Sequence, residues 1–155
     1  MSSSFLSSRP ILAAVACLGL NVCLQESPRT SPRQGPLLFE GIWQLSRWKI
    51  DGDEIELPKE GGYLVLRDWT FKIKVGAKVI GEGSFTINAR TTPGWINVKY
   101  ADEKYKGQSN LGIYEFKGEE LWLTMARAGV KDRPTDFGCK AGSDHVLVVY
   151  KLTKG

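Results

Sequence analysis

The chain has 155 residues, with 21 Lys and Arg against 17 Asp and Glu for a net charge of +4. That length supports one domain with its own core and is too short for two comfortable ones. The basic residues are scattered singly, which excludes a polybasic nucleic-acid footprint and leaves a small molecule as the expected partner of a monomer.

Residues 1–24 read as a targeting segment. A Ser-rich start and Arg9 precede "ILAAVACLGLNVCL", an apolar run from Ile11 to Leu24 broken only by Asn21. The run matches the h-region of a signal peptide and falls short of a spanning helix. The competing reading, a buried or amphipathic N-terminal helix, is disfavoured by the Pro, Arg, Ser and Gly stretch that follows at once. Export to the periplasm or cell envelope is the expectation. Cys17 follows Ala14, Val15 and Ala16, small residues suited to a lipoprotein-processing site, and is the candidate for lipidation; that anchor would be the chain's membrane contact. Cys23 has the longer apolar run before it but the less suitable Val22 beside it, and simple cleavage near residues 19–25 is the alternative to both. Cys139 is then the lone thiol of the mature chain, with no partner for an intramolecular disulfide.

Residues 25–37, including "QESPRTSPRQGP", form a Pro, Ser and Arg spacer without apolar periodicity, read as a flexible tether. The domain spans 38–155. Strand-period runs follow one another at short spacing: Trp43 to Ile50, ending in "DGDE"; Tyr63 to Arg67; and Thr70 to Val75, with Phe71, Ile73 and Val75 alternating against Lys72 and Lys74. Lys78 to Asn88 carries Gly81 and Gly83, as a bent or bulged strand would. Trp95 to Tyr100 comes next, then the hairpin of Asn110 to Phe116 and Glu120 to Met125 around Lys117-Gly118, and finally His145 to Leu152. Between Ala126 and Asp144 lies a long connection, the kind of loop that often carries a site. The pattern is all-β. An eight-stranded antiparallel barrel is expected, with a two-sheet sandwich as the alternative.

The stretches "EGIWQL", "DGDEIEL", "LGIYEFKGEELWL", "RPTDF" and "AGSDHVLVVYK" occur in the order and spacing of a small lipocalin-like domain family of unknown function, abundant in planctomycete-type bacteria, which residues 38–153 resemble. The resemblance implies a calycin-type barrel behind an export signal. It also implies that the Gly41-x-Trp43 pair closes the barrel floor and that a basic residue of the last strand, by position Lys151, lies over the indole. The other conserved regions of classical lipocalins are missing, so their ligand chemistry does not carry over.

Arg133 is the candidate ligand-holding cation, able to grip a carboxylate or phosphate at the barrel mouth, against the plainer role of tying the long loop internally. Tyr100 and Tyr114 are the candidate ligand-lining aromatics, within an interior expected to include Tyr63, Tyr150, Phe71, Phe85 and Phe116. Gly112 beside bulky neighbours suggests retained space. His145 is the only histidine and no His/Cys cluster at metal-ligand spacing accompanies it, so neither a metal nor a cofactor is expected. Ser109 and Ser143 stand in no nucleophile-elbow context, and the chain is not read as an enzyme.

Two functions remain. One is a non-catalytic barrel holding a small apolar or acidic ligand in the cell envelope, with a cavity opening near Arg133. The other is an interaction or inhibitor-like barrel with a filled interior and clustered exposed Trp95 and Trp122.

Overall fold

The computed structural model describes residues 38–154. The expected signal segment, the tether and Cys17 lie outside the described residues. Nine strands form one sheet: β1 (Gly41–Ile50), β2 (Asp53–Glu54), β3 (Gly62–Arg67), β4 (Thr70–Val75), β5 (Lys78–Asn88), β6 (Gly94–Tyr100), β7 (Ser109–Lys117), β8 (Glu120–Ala126) and β9 (His145–Leu152). From β3 onward each strand pairs antiparallel with the next, and β1 pairs with both β3 and β9, closing the sheet on itself. The result is an eight-stranded antiparallel barrel with β2 as a two-residue addition to β1. The β1–β9 ladder decides against the sandwich and removes the exposed sheet edges.

The tight turns follow from residues that accept positive φ. Asp51 and Gly52 (φ 53° and 96°) carry the chain from β1 into β2, as a two-residue hairpin turn of the primed type requires. Asp68 and Trp69 (φ 47° and 63°) join β3 to β4 in the same way.

Alternation along the strands sends one set of side chains inward. Leu64, Leu66, Phe71, Phe85, Ile96, Leu121, Leu123 and Tyr150 are buried in one core together with Trp43 and Tyr114. Tyr63 departs from the expected interior. It alternates against Gly62, Leu64 and Leu66, and its hydroxyl lies where a Cβ on Gly61 would be only 3.0 Å away. In β1 the pairing with β9 shifts between Leu45 and Arg47, where the Ser46 hydroxyl donates to the Val149 carbonyl at 3.0 Å. Such a bulge reverses strand phase. Trp43 and Leu45 point inward before it, and Trp48 joins the interior lining after it.

One end of the barrel is plugged. Phe39, just before β1, packs its ring at 4.9 Å from both Tyr114 and Phe116 and 5.8 Å from Phe85. The Trp43 indole N–H donates to the Phe39 carbonyl at 2.8 Å, fixing the plug to the strand that follows it. Gly94 faces the Tyr114 ring so closely that a Cβ there would collide with it, the small-against-large pairing that fills a dense core.

The 127–144 connection packs on the outside of the barrel. Cys139 is buried against Leu147 and Val149, with Trp122 and Phe137 beside them, and Pro134 is fully buried. Trp122, on the outer face, is therefore covered: the Phe137 ring stands edge-on at 6.2 Å and the Lys117 ammonium sits 4.1 Å above the indole.

Candidate functional site

Away from the plug, the interior opens into a cavity of about 780 Å³. Its wall is formed by inward positions of nearly every strand: Leu45 and Trp48 of β1, Ile73 and Val75 of β4, Gly81 of β5, Val98 and Tyr100 of β6, Met125 of β8, and Val146, Val148 and Tyr150 of β9. Leu64, Leu66, Phe71, Phe85, Leu121 and Leu123 continue the lining toward the plug. The mouth lies where β1, β4, β6 and β8 end. Pro58, Ile80, Tyr105, Gln108, Arg127 and Ala128 edge it from the connecting segments and strand ends.

Two irregularities shape this end. The β1 bulge brings Trp48 to the mouth. In β5 the pairing with β4 skips from Gly81 to Val79, leaving Ile80 as an extra residue that borders the cavity while staying 56% exposed. Gly83, next along the inner face, could not carry a side chain, because a Cβ would run into the Lys99 carbonyl.

Polar atoms are sparse in this lining. Tyr100 packs edge-on to Phe71 at 5.3 Å and lies 5.4 Å from Tyr105. Burial, and secondarily Tyr105, pushes the Tyr100 phenol above its usual value. Burial pushes Tyr150 well up, with Tyr100 adding to the effect. Both phenols therefore stay protonated at neutral pH. Asn110 donates to the Ala126 carbonyl at 3.2 Å, while its own Oδ1 is buried without a partner. No carboxylate occurs among the lining residues, and the cationic ones are Lys74 and Arg127. Arg127 is ion-paired to Asp144 at 3.2 Å.

The residues singled out in the sequence distribute unevenly. Tyr100 lines the cavity. Tyr114 is in the plug, buried against Phe39 and Phe116 rather than on the cavity wall, and its phenol is pushed up by burial. Arg133 is not at the mouth. On the outside of the barrel, its guanidinium donates to the carbonyls of Ile96 (2.9 Å) and Gly112 (2.5 Å) and to Asn97 Oδ1 (2.6 Å), and it lies 4.8 Å above the Trp95 ring. Its donors are committed to the wall of the barrel, and burial pulls it below the usual guanidinium value.

Trp43 is buried in the floor beside Gly41, whose φ of 145° and 3.0 Å Cβ approach to Leu152 suit glycine. Lys151 does not cover the indole. It follows the inward-facing Tyr150 and so points outward, pairing with Glu120 at 3.6 Å; the Trp43 ring instead meets Phe116 at 5.9 Å. The space hinted at by Gly112 is taken by the Met125 sulfur, which a Cβ on Gly112 would strike. Near His145, the Ser143 Oγ accepts a hydrogen bond from the His145 main-chain N–H at 3.3 Å. Among the described residues no group of three His, Cys, Asp or Glu side chains could hold a metal ion.

Trp48 is the site residue least visible beforehand. The signal for Trp48 was present in β1, where Trp43 and Leu45 occupy odd positions and Trp48 and Ile50 even ones, a parity change that only a bulge accommodates. Comparison with family models, curated proteins and solved structures finds no match to the chain.

Proposed function

We propose that this protein is a non-catalytic, lipocalin-like barrel that holds one small, largely apolar molecule, and that its N-terminal segment delivers it to the cell envelope. The observation that carries the reading is the cavity of about 780 Å³ with its predominantly aliphatic and aromatic wall. Small-molecule sites span roughly 300–1,000 Å³ and are walled mainly by apolar side chains with a few polar groups. At about 30 Å³ per water molecule, such a space equals on the order of 25 waters. Replacing them with an apolar guest removes apolar surface from water on both sides. The interaction-barrel alternative is less favoured because it called for a filled interior and a clustered pair of exposed indoles. Trp95 is 44% exposed with the Arg133 guanidinium on one face, but Trp122 is covered by Phe137 and Lys117 and does not join it.

Native mass spectrometry of protein purified gently from its own envelope tests the reading, with Val98→Trp as the control. Val98 lines the cavity, so an indole there should abolish co-purification of a bound molecule and weaken a neutral fluorescent apolar probe at least about ten-fold, while the fold survives because the added volume enters open space. Consistent absence of any guest, together with no probe binding by the unaltered protein, would overturn it.

A further inference from the structure

Resting on the reading of the cavity as a binding site, we propose that the Tyr100 and Tyr150 hydroxyls together seat one hydrogen-bond-accepting oxygen, and that the preferred guest is an uncharged apolar molecule bearing a carbonyl. Both residues line the cavity. Tyr150 rises from the inner face of β9 at the level where it pairs with Leu45 and Leu121. Tyr100 ends β6, separated from β9 by β7 and β8, and its ring lies over Gly81, where a Cβ would be 3.5 Å away.

Neither hydroxyl has a hydrogen-bond partner among the described residues. The buried side-chain polar atoms that are sealed off without a partner are Asn110 Oδ1 and Thr124 Oγ1. The two phenol oxygens are not among them, so each keeps surface open to the cavity. Burial first, and then Tyr100 beside Tyr150 and Tyr105 beside Tyr100, raise the two phenols, so both hold their protons at neutral pH. A protonated phenol left in an apolar wall carries an unmet donor. One carbonyl oxygen has two lone pairs and can accept from both.

The same surroundings disfavour a carboxylate in this seat. Burying an anion without a paired cation is costly. Lys74, at the cavity edge, alternates against Ile73 and Val75 on the wet face of β4, and Arg127, at the mouth, is engaged by Asp144. The polar seat is therefore neutral and donating, which selects the uncharged carbonyl.

The test measures displacement of a neutral fluorophore from the full-length protein by three guests of matched chain length: a methyl ketone, the corresponding carboxylate, and the terminal alkene that lacks oxygen. The ketone is expected to bind about ten-fold more tightly than the alkene, the size of one net hydrogen bond, and more tightly than the carboxylate at neutral pH. Tyr150→Phe and Tyr100→Phe should each erase most of that ketone preference, with alkene affinity held within about two-fold as the check that the cavity is intact. Equal affinity for ketone and alkene, a tighter carboxylate, or a preference that survives both substitutions overturns the seat and leaves the binding site standing. Failure of the fluorophore and of all three guests overturns the binding site itself.

Discussion

In the plugged half of the barrel, inward positions carry Trp43, Phe85, Tyr114 and Phe116, and Phe39 enters between them from outside the strands. In the open half the neighbouring strands β4, β6, β8 and β9, in the same alternation, present Ile73, Val98, Met125 and Val148 around the cavity. Both halves also place glycine on the inner face, with opposite results. Gly94 is answered by the Tyr114 ring at a spacing that leaves no room for a Cβ, whereas Gly81 meets Tyr100 only at ordinary contact distance. The barrel thus concentrates its packing energy at one end and spares volume at the other. A cavity of this kind forgoes dispersion contacts along its wall, and the aromatic plug supplies the compensating density.

The sharpest way to break that division is Trp43→Ala. It deletes a ring that is 3% exposed and the indole donor that holds Phe39, so a loss of about 3–5 kcal/mol is expected in urea unfolding. A loss under about 1 kcal/mol would mean the plug is not where the stability resides. Alkaline unfolding probes both halves at once. The phenols of Tyr114 in the plug and of Tyr100 and Tyr150 in the cavity are all raised by burial, while the unfolded chain ionises near the ordinary value of about 10. Above that pH the unfolded state binds fewer protons than the folded one, so stability, complete below about pH 10, should fall as pH rises further. Tyr150→Phe should flatten this decline more than Tyr114→Phe, because Tyr150 has the larger rise. Denaturation midpoints collected stepwise through that range would show it.

The strands themselves were legible because alternation is written residue by residue, and the eight long runs expected from it coincide with the barrel strands. The hollow was not legible. Whether an interior is full depends on how deep each side chain reaches, and Phe39, which fills one end, lies outside every strand-period run. Trp48 was hidden by a bulge at Ser46 that left its mark only as a change of parity. Arg133 was recognised as the loop's cation, but two of its three partners are main-chain carbonyls, and a carbonyl has no sequence signature.

Arg133→Ala separates the wall from the cavity. Two strand carbonyls and Asn97 lose a charged donor, for an expected loss of about 1–3 kcal/mol in stability. Lys should restore little of it, since an ammonium cannot span the same acceptors in one plane. Guest affinity should not change, because the guanidinium lies on the outside; a loss of binding at intact stability would place the loop in the site after all.

The smallest effect expected belongs to Lys151→Ala. A cation stacked on the floor indole would contribute about 0.5–2 kcal/mol, and its removal would loosen Trp43. In this barrel, however, Lys151 is 62% exposed and its partner is Glu120, an arrangement worth about 0–1 kcal/mol and screened by salt. The unfolding midpoint should therefore move little, and the small shift should vanish at high ionic strength. Trp43 fluorescence also decides the matter: its emission should stay blue and unquenched in the variant, because Phe39 and Phe116 enclose the ring, while a red shift would show that the cation had been part of the floor.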